Sequence, residues 1–240
     1  MRIISIQIIN KKNAGCKMIK DKGKTKRVFT GKELIRFIEI VKGHRYETAF
    51  LLMLTTGIAP SELVALRWRD IREYHAIINK RGRFKNGIMA FAPYTKVSNK
   101  IRPIPLNRTV FNLLDVKMKK QIVCCSIPQE FRELVFLTER GYPYHIPDLI
   151  RSFNRLVAKE FNSPKMCILQ NTAQFFIETQ TRALVAKCIL GNGEYGYVDY
   201  EPNERAIVGY GIQIINSKWD KLLEDSKKYK ICRFFGTDNT

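Results

Sequence analysis

The chain has 240 residues, 42 of them Lys or Arg and 22 Asp or Glu, and its formal net charge of +20 favours a polyanionic partner, nucleic acid ahead of an anionic membrane. The apolar fraction of 45% excludes wholesale disorder, and the length suits one large domain or two small ones. Because it has neither a run of roughly 18 apolar residues nor a signal peptide, the sequence predicts a cytoplasmic protein that does not cross a membrane.

Residues 1–28 are predicted to form a basic N-terminal arm. Within it, KMIKDKGKTKR has six basic residues against one Asp and shows neither a helical nor a strand period. A solvated tail and an arm that follows nucleic-acid phosphates both fit this composition.

Three helices are predicted after the arm. Thr30 and Glu33 have the spacing of a capping box ahead of an apolar face that ends at Gly43. The strongly apolar YETAFLLMLTTG is predicted to form a buried helix that ends at Gly57. Pro60 then opens a short third helix, PSELVALRW.

The next segment changes to β-strand patterns. HAIINK, GIMAFAPY and KIRPIPL are β-rich runs separated by RGRFKNG and TKVSN. They predict a small antiparallel three-stranded sheet, and the tip KRGRFKNG is heavily basic.

The remaining chain is predicted to be helical. Helices are expected at NRTVFNLLDVKMKK with Asn107 as N-cap, at PDLIRSFNRLVAKEF, at MCILQNTAQFFIETQ and at RALVAKCILG, which ends at Gly191. NGEYGYVDYEPNE is predicted to be a loop, and SKWDKLLEDSKK to belong to a last amphipathic helix. The fold class is therefore mainly α with a small antiparallel three-stranded β-sheet.

The cysteines and histidines do not have the spacing of a metal site. No C-x-x-C pair occurs, and His44, His75 and His145 are scattered, which suits neither zinc nor a small disulfide scaffold. We expect reduced thiols and no metal, and we expect Cys167 to pack in the core.

One stretch, LLMLTTGIAPSELVALRWRDI, resembles the first conserved box of the tyrosine recombinases, the phage-integrase family. The family pattern is Thr-Gly, a hydrophobic residue, Arg, any residue, Ser or Gly, Glu-Leu, and then Leu, Trp and Asp-Ile. Later segments fit in the right order, so that the resemblance extends from residue 29 to about residue 228. The residues of the first box that fit are Gly57, Ser61, Glu62, Leu63, Leu66, Trp68, Asp70 and Ile71.

The resemblance implies a fold and a domain arrangement. Residues 29–240 would form the DNA breaking-rejoining fold of the family's catalytic domain, with a C-terminal helix and tail. The separate core-binding domain that usually precedes it, a helical DNA clamp, is not expected here. YTKVSNKIRPIPL resembles the hairpin that carries the family's lysine, here Lys96. ILGNGEYGYVDY occupies the place of Leu-Gly-His and the nucleophilic tyrosine, Tyr200, with Tyr197 and Tyr195 as alternatives.

The catalytic positions of the family are largely replaced. In the family a tyrosine hydroxyl attacks a DNA phosphodiester without a cofactor, while two arginines, histidines and a lysine stabilise the transition state. Lys96 and Tyr200 match those residue types here. The departures are Ala59 for the first arginine, Cys167 and Asn171 for two histidines, Gln170 for the second arginine and Asn192 for the Leu-Gly-His histidine.

These departures leave the enzymatic status uncertain and favour impaired or absent catalysis. The leading hypothesis is a DNA-binding protein on a degenerate recombinase scaffold, acting in or derived from recombination or integration of a mobile element. The alternative is an active site-specific recombinase that uses Tyr200 in a rebuilt pocket, where Arg182, Arg155 or Arg102 would replace the lost arginines.

Double-stranded DNA is the expected partner, together with a homo-oligomer or other recombinase subunits. The C-terminal helix, with Trp219, Leu222 and Leu223, would either dock into a neighbouring subunit or pack on its own domain. The candidates for phosphate contact are Arg67, Arg69, Arg72, Arg81, Arg83, Lys85 and Lys96.

Overall fold

The structure is a computed structural model that describes residues 17–21, 24–85, 88–94, 100–124, 126–158, 160–161, 165–192 and 200–235. Over these residues the fold is mainly helical with small antiparallel sheets, as the sequence predicts. In this part of the chain no helix is both long enough and apolar enough to span a membrane. The elements are β1 (Lys17–Asp21), β2 (Lys24–Val28), α1 (Gly31–Val41), α2 (Glu47–Thr56), α3 (Pro60–Leu63), β3 (His75–Ile78), β4 (Lys80–Lys85), β5 (Ile88–Pro93), β6 (Arg102–Pro105), α4 (Arg108–Ile122), α5 (Ile146–Val157), α6 (Cys167–Gln180), α7 (Ala183–Leu190) and α8 (Pro202–Phe235).

The first helices follow the predicted signals. Thr30 Oγ1 accepts the N–H of Glu33, and the Glu33 carboxylate accepts the N–H of Thr30, which completes the predicted capping box. α2 is buried along most of its length and ends at Gly57, where φ is +73°. α3 is shorter than predicted because it ends at Leu63, and a separate 3₁₀ turn follows at Trp68–Asp70.

The predicted three-stranded sheet is wrong in its pairing. β6 pairs with β3, whereas β4 and β5 pair with each other in a separate hairpin. Two of the four β6 residues, Pro103 and Pro105, have no N–H group to donate. β6 is therefore poorly suited to a place between two neighbouring strands.

The prediction that the N-terminal arm lacks strand structure is also wrong. β1 and β2 form an antiparallel pair in which Lys17 lies opposite Val28. β2 is held to α6, because Asn171 Nδ2 donates to Arg27 O at 3.1 Å and the N–H of Phe29 donates to Thr172 Oγ1 at 3.0 Å. These contacts use backbone groups and polar side chains, so the sequence of β2 shows no apolar alternation. Residues 1–16 of the predicted arm lie outside the described residues.

The C-terminal helix packs onto its own chain. Trp219, Leu222 and Leu223 are all buried, and the rings of Trp219 and Phe176 lie 4.2 Å apart between centroids. The Asp220 carboxylate also accepts two backbone N–H groups at the start of α4, at 3.2 and 3.3 Å. Of the two predicted uses of these three apolar side chains, packing on the chain's own domain is the one observed.

Candidate functional site

The predicted site begins at the turn between α2 and α3. The N–H of Gly57 donates to Met53 O, and its left-handed backbone leads the chain to Ala59, which has an extended conformation. The N–H of Ala59 donates to the Glu62 carboxylate at 3.0 Å. Because the side chain of Ala59 is a single methyl group, the position that the resemblance assigns to the first arginine cannot bind phosphate through a side chain.

A buried ion pair lies next to this turn. Arg102 Nη1 donates to Glu62 Oε1 and Nη2 donates to Oε2, both at 2.8 Å, and the two side chains are only 7% and 5% exposed. The hydroxyl of Tyr94 donates to Oε1 at 2.9 Å. Burial acts to raise the pKa of Glu62, but the hydrogen bonds and charge of Arg102 outweigh it and hold that pKa below its ordinary value. Glu62 is therefore an ionised carboxylate whose charge Arg102 neutralises.

The turn after α7 rests on the same arginine. Arg102 Nε donates to Ile189 O at 2.9 Å, and Nη1 also donates to Lys100 O at 3.1 Å. Gly191 has a φ of +68°, and a Cβ at this residue would lie 3.0 Å from Arg102 Cδ. Asn192, the position that matches the Leu-Gly-His histidine, follows directly and is exposed. The structure thus brings the first box, β6 and the Leu-Gly turn together around one guanidinium.

α6 carries three of the positions that the resemblance singles out. Gln170 Nε2 donates to Gly57 O at 3.5 Å, so the residue that the resemblance assigns to the second arginine contacts the turn that carries Ala59. Asn171 is engaged with the backbone of Arg27 in β2. Cys167 is exposed, so the prediction that it packs in the core is wrong. Cys167 is the first residue of α6, and the buried side chains of this helix begin one position later.

Tyr200 is buried, and its hydroxyl group is hydrogen-bonded to the thiol of Cys188 in α7. Burial is the main cause that raises the pKa of Tyr200 to about 12 and that of Cys188 to about 12, so both are protonated at neutral pH. The positive charge of Arg102 acts to lower the pKa of Cys188, which puts the tyrosine, the thiol and the guanidinium in one neighbourhood. Three predicted candidates lie outside the described residues: Lys96, Tyr195 and Tyr197.

Comparison with known proteins decides the family. The sequence model described as the phage integrase family matches residues 27–166, more than half of the chain. The chain belongs to the phage integrase family.

Individual relatives agree with this assignment. A XerC-like tyrosine recombinase of Caldanaerobacter subterraneus subsp. tengcongensis is 27% identical over 149 residues, which cover 54% of this chain and 37% of that protein. The Tn1549 transposon integrase, solved in complex with transposon right-end DNA, aligns with a TM-score of 0.60 at 18% identity, over 80% of this chain and 63% of its own. XerA recombinase aligns with a TM-score of 0.53 at 15% identity, over 75% of this chain and 62% of its own. The recombinase catalytic-domain fold is confirmed, and the chain spans less than two thirds of each relative.

The arginines suggested as replacements differ in their surroundings. Arg182 precedes α7 and Arg155 lies on α5, and both are exposed. Arg102 reaches the site, but four of its five N–H groups already donate to Glu62 and to two backbone carbonyls. The guanidinium group of Arg102 is therefore almost fully hydrogen-bonded within the protein.

The predicted phosphate contacts of this phage integrase domain are partly engaged elsewhere. Arg67 Nη1 lies 3.1 Å from Glu133 Oε2, and Arg69 Nη1 lies 3.7 Å from Glu133 Oε1. Arg72 Nη1 donates to the backbone oxygens of Arg69 and Ile71 at 2.6 and 3.0 Å. These three arginines are tied to their own surroundings, although Arg69 remains well exposed.

The hairpin arginines are less constrained. Arg81 is half-buried and Arg83 is exposed on β4, and neither forms an ion pair within the described residues. The side chain of Lys85 and the whole of Lys96 lie outside the part of the chain that the structure describes.

Sequence reasoning missed the role of Glu62 with Arg102, and the contacts of Tyr94 and Lys100 around them. The signal was present in KIRPIPL, where a cation stands inside an otherwise apolar strand. A guanidinium buried in that way requires a carboxylate partner, and Glu62 stands in the equally apolar PSELVAL.

Proposed function

We propose that this chain is a double-stranded-DNA-binding protein of the phage integrase family whose capacity to cut DNA is lost or strongly reduced. It acts in, or derives from, recombination and integration of a mobile element, and it works in the cytoplasm. One observation carries the proposal: Arg102, the guanidinium at the site, is neutralised by Glu62, while Ala59 and Gln170 supply no charge at the two arginine positions.

The chemistry explains why these replacements matter. A phosphodiester under attack by a tyrosine gains charge on its non-bridging oxygens, and planar guanidinium forks are the groups best suited to stabilise it. Each lost donor of this kind typically costs on the order of 10²–10³ in rate, and the losses do not simply add. Gln170 offers a dipole instead of a charge, and Ala59 offers no polar group.

Binding does not require the same groups. The net charge of +20 favours association with a polyanion, and each phosphate neutralised releases condensed counterions. The Tn1549 transposon integrase was solved in complex with transposon DNA, which supports duplex DNA as the partner here.

Two measurements test the proposal. A mixed-sequence duplex should bind with an affinity that falls steeply as salt rises, because phosphate contacts release counterions. Absence of binding at low salt, or an affinity independent of salt, would remove DNA binding from the proposal. A nicked suicide duplex should trap no covalent adduct in the same preparation.

A second function is favoured by the surroundings of Tyr200. This residue and Lys96 keep the family's types, and the charge of Arg102 reaches Cys188, the partner of the Tyr200 hydroxyl. An active recombinase would have to release that hydroxyl from its buried hydrogen bond. A covalent protein–DNA adduct that disappears in Tyr200→Phe would establish this alternative.

Assembly with a second copy or with other recombinase subunits is also part of the proposal. The apolar side chains Trp219, Leu222 and Leu223 are buried in their own core, so the contact would use other surfaces. A light-scattering mass equal to one chain, both free and on DNA, would remove this element.

A further inference from the structure

Positive side chains surround Tyr94 at the edge of the site. Lys100 Nζ lies 5.9 Å from the centroid of the Tyr94 ring. Arg81 lies opposite Ala92 in the register of β4 and β5, and the N–H of Tyr94 donates to Asn79 O at 2.8 Å. Because side chains alternate along a strand, Arg81 and Tyr94 are diagonal neighbours on one face of the hairpin. We call Tyr94, Glu62, Arg102, Arg81 and Lys100 the Tyr94 cluster.

The charges of the Tyr94 cluster do not cancel. Glu62 and Arg102 neutralise each other in their buried pair. Burial and the Glu62 carboxylate raise the pKa of Tyr94 to about 12, and the charges of Arg102 and Arg81 oppose that rise, so Tyr94 is neutral and Arg81 lies close enough to act on it. In the part of the chain that the structure describes, neither Arg81 nor Lys100 forms an ion pair. Within the described residues, these two positive charges have no carboxylate partner.

The cluster adjoins the position of the missing first arginine. The Glu62 carboxylate accepts both the N–H of Ala59 and the hydroxyl of Tyr94, which ties the hairpin to the turn before α3. A Cβ at Gly82 would lie 2.8 Å from Val64 Cγ2, so the glycine allows β4 to pack directly against the residues that follow α3. An anion beside Ala59 would therefore lie within reach of long cationic side chains from the hairpin and from the segment before β6.

We propose that Arg81 and Lys100 form a phosphate anchor that holds one backbone phosphodiester of duplex DNA beside Ala59, in place of the family's arginine grip. This inference rests on the proposed DNA binding and adds the residues that supply it. The anchor also explains how the chain can bind DNA without cleaving it. Arg81 and Lys100 are not fixed by ion pairs, so they can balance the charge of a resting phosphate without being preorganised for the transition state.

The test compares the salt dependence of duplex binding in charge-matched variants. Arg81→Ala/Lys100→Ala should reduce the slope of log K against log salt by about 0.9, because the two side chains neutralise one phosphate and each neutralised phosphate contributes roughly 0.9. Arg140→Ala/Lys42→Ala removes the same charge from exposed positions in the turn before α5 and at the end of α1, and it should leave the slope unchanged. The swapped variant Arg81→Lys/Lys100→Arg keeps both charges and should retain the slope of the unaltered protein.

The outcomes separate this inference from the proposed function. If the unaltered protein binds DNA with a clear salt slope, but both alanine pairs change it equally or neither changes it, the anchor is overturned and DNA binding stands. If the unaltered protein does not bind, the proposed function and the anchor fall together. Unfolding midpoints of all variants should agree with that of the unaltered protein, because Arg81 and Lys100 make no ion pair in the described structure. A large drop in the midpoint for Arg81→Ala/Lys100→Ala alone would assign these residues to the fold and contradict the anchor.

Discussion

Replacing Arg102 with methionine removes its charge but keeps much of its apolar stem, and we expect a strong loss of stability. The change deletes four donated hydrogen bonds and leaves Glu62 as a carboxylate, 5% exposed, without a countercharge. Removing one partner of a buried pair costs about 3–5 kcal/mol. In a domain of this size each kcal/mol corresponds to about 2–4 °C, so the melting temperature should fall by roughly 6–20 °C.

Thermal and urea unfolding followed by circular dichroism would measure this loss. The matched control is Arg36→Met, because Arg36 also binds both oxygens of one carboxylate, Glu160, at 2.8 and 2.7 Å, but does so at the surface. Water screens that pair, so its removal should cost at most about 1 kcal/mol, or about 2–4 °C in the midpoint. Adding Glu62→Gln to Arg102→Met should restore part of the stability, since no buried charge then lacks a partner. Equal midpoints for the Arg102 and Arg36 variants would refute the reasoning.

The same pair makes stability depend on pH in the acid range. The pKa of folded Glu62 lies below its ordinary value, because the hydrogen bonds and charge of Arg102 outweigh the effect of burial. The contribution of the pair is therefore complete above the ordinary carboxyl pKa and is lost as the pH falls through the lower, folded value. The free energy of unfolding of the unaltered protein should fall more steeply over this interval than that of Glu62→Gln/Arg102→Met.

Two further substitutions and one labelling experiment test other features. Gly191→Ala should destabilise by at least about 1 kcal/mol in urea unfolding, because the residue has a φ of +68° and a Cβ would press on Arg102; an unchanged midpoint would contradict the close approach. Cys167 should react with a chromogenic disulfide reagent in the native protein, whereas Cys188, buried and with a pKa of about 12, should react only on unfolding; equal rates would place Cys188 at the surface. Trp219→Ala should cost about 3–5 kcal/mol, since the ring is fully buried; an unchanged midpoint with a lower oligomer mass would make it a subunit contact instead.

The helices could be predicted because their signals are carried by residues close together in the chain. Thr30 and Glu33 close their capping box within three positions, and Asn107 accepts an N–H of the first turn of α4 as predicted. Gly57 and Gly191 end α2 and α7 in the left-handed conformation that glycine favours. None of these features requires knowledge of a distant segment.

The pairings between distant segments could not be predicted in the same way. The run containing β6 has the pattern of a third strand of one sheet. Instead β6 pairs with β3 alone, because two of its four residues are prolines and β4 and β5 pair with each other. Arg102 pairs with Glu62, which lies forty residues earlier in the chain, and no local sequence pattern predicts which carboxylate it pairs with. The sequence does not predict the start of α8, because Pro202, the first residue of the helix, stands inside the loop-like run NGEYGYVDYEPNE.

The buried residues of the first box and the two positions assigned to the family's arginines occupy different environments in this domain, so the first can be kept while the second change. Glu62 and Leu63 of the first box are buried, so their replacement would cost the fold. Ala59 and Gln170 lie only half-buried, and few contacts depend on their side chains. Arginines at those two positions would add positive charge beside Arg102, and without a bound phosphate that charge is repulsive. The absence of arginine at these two positions therefore costs little stability, and the chain keeps a net charge of +20.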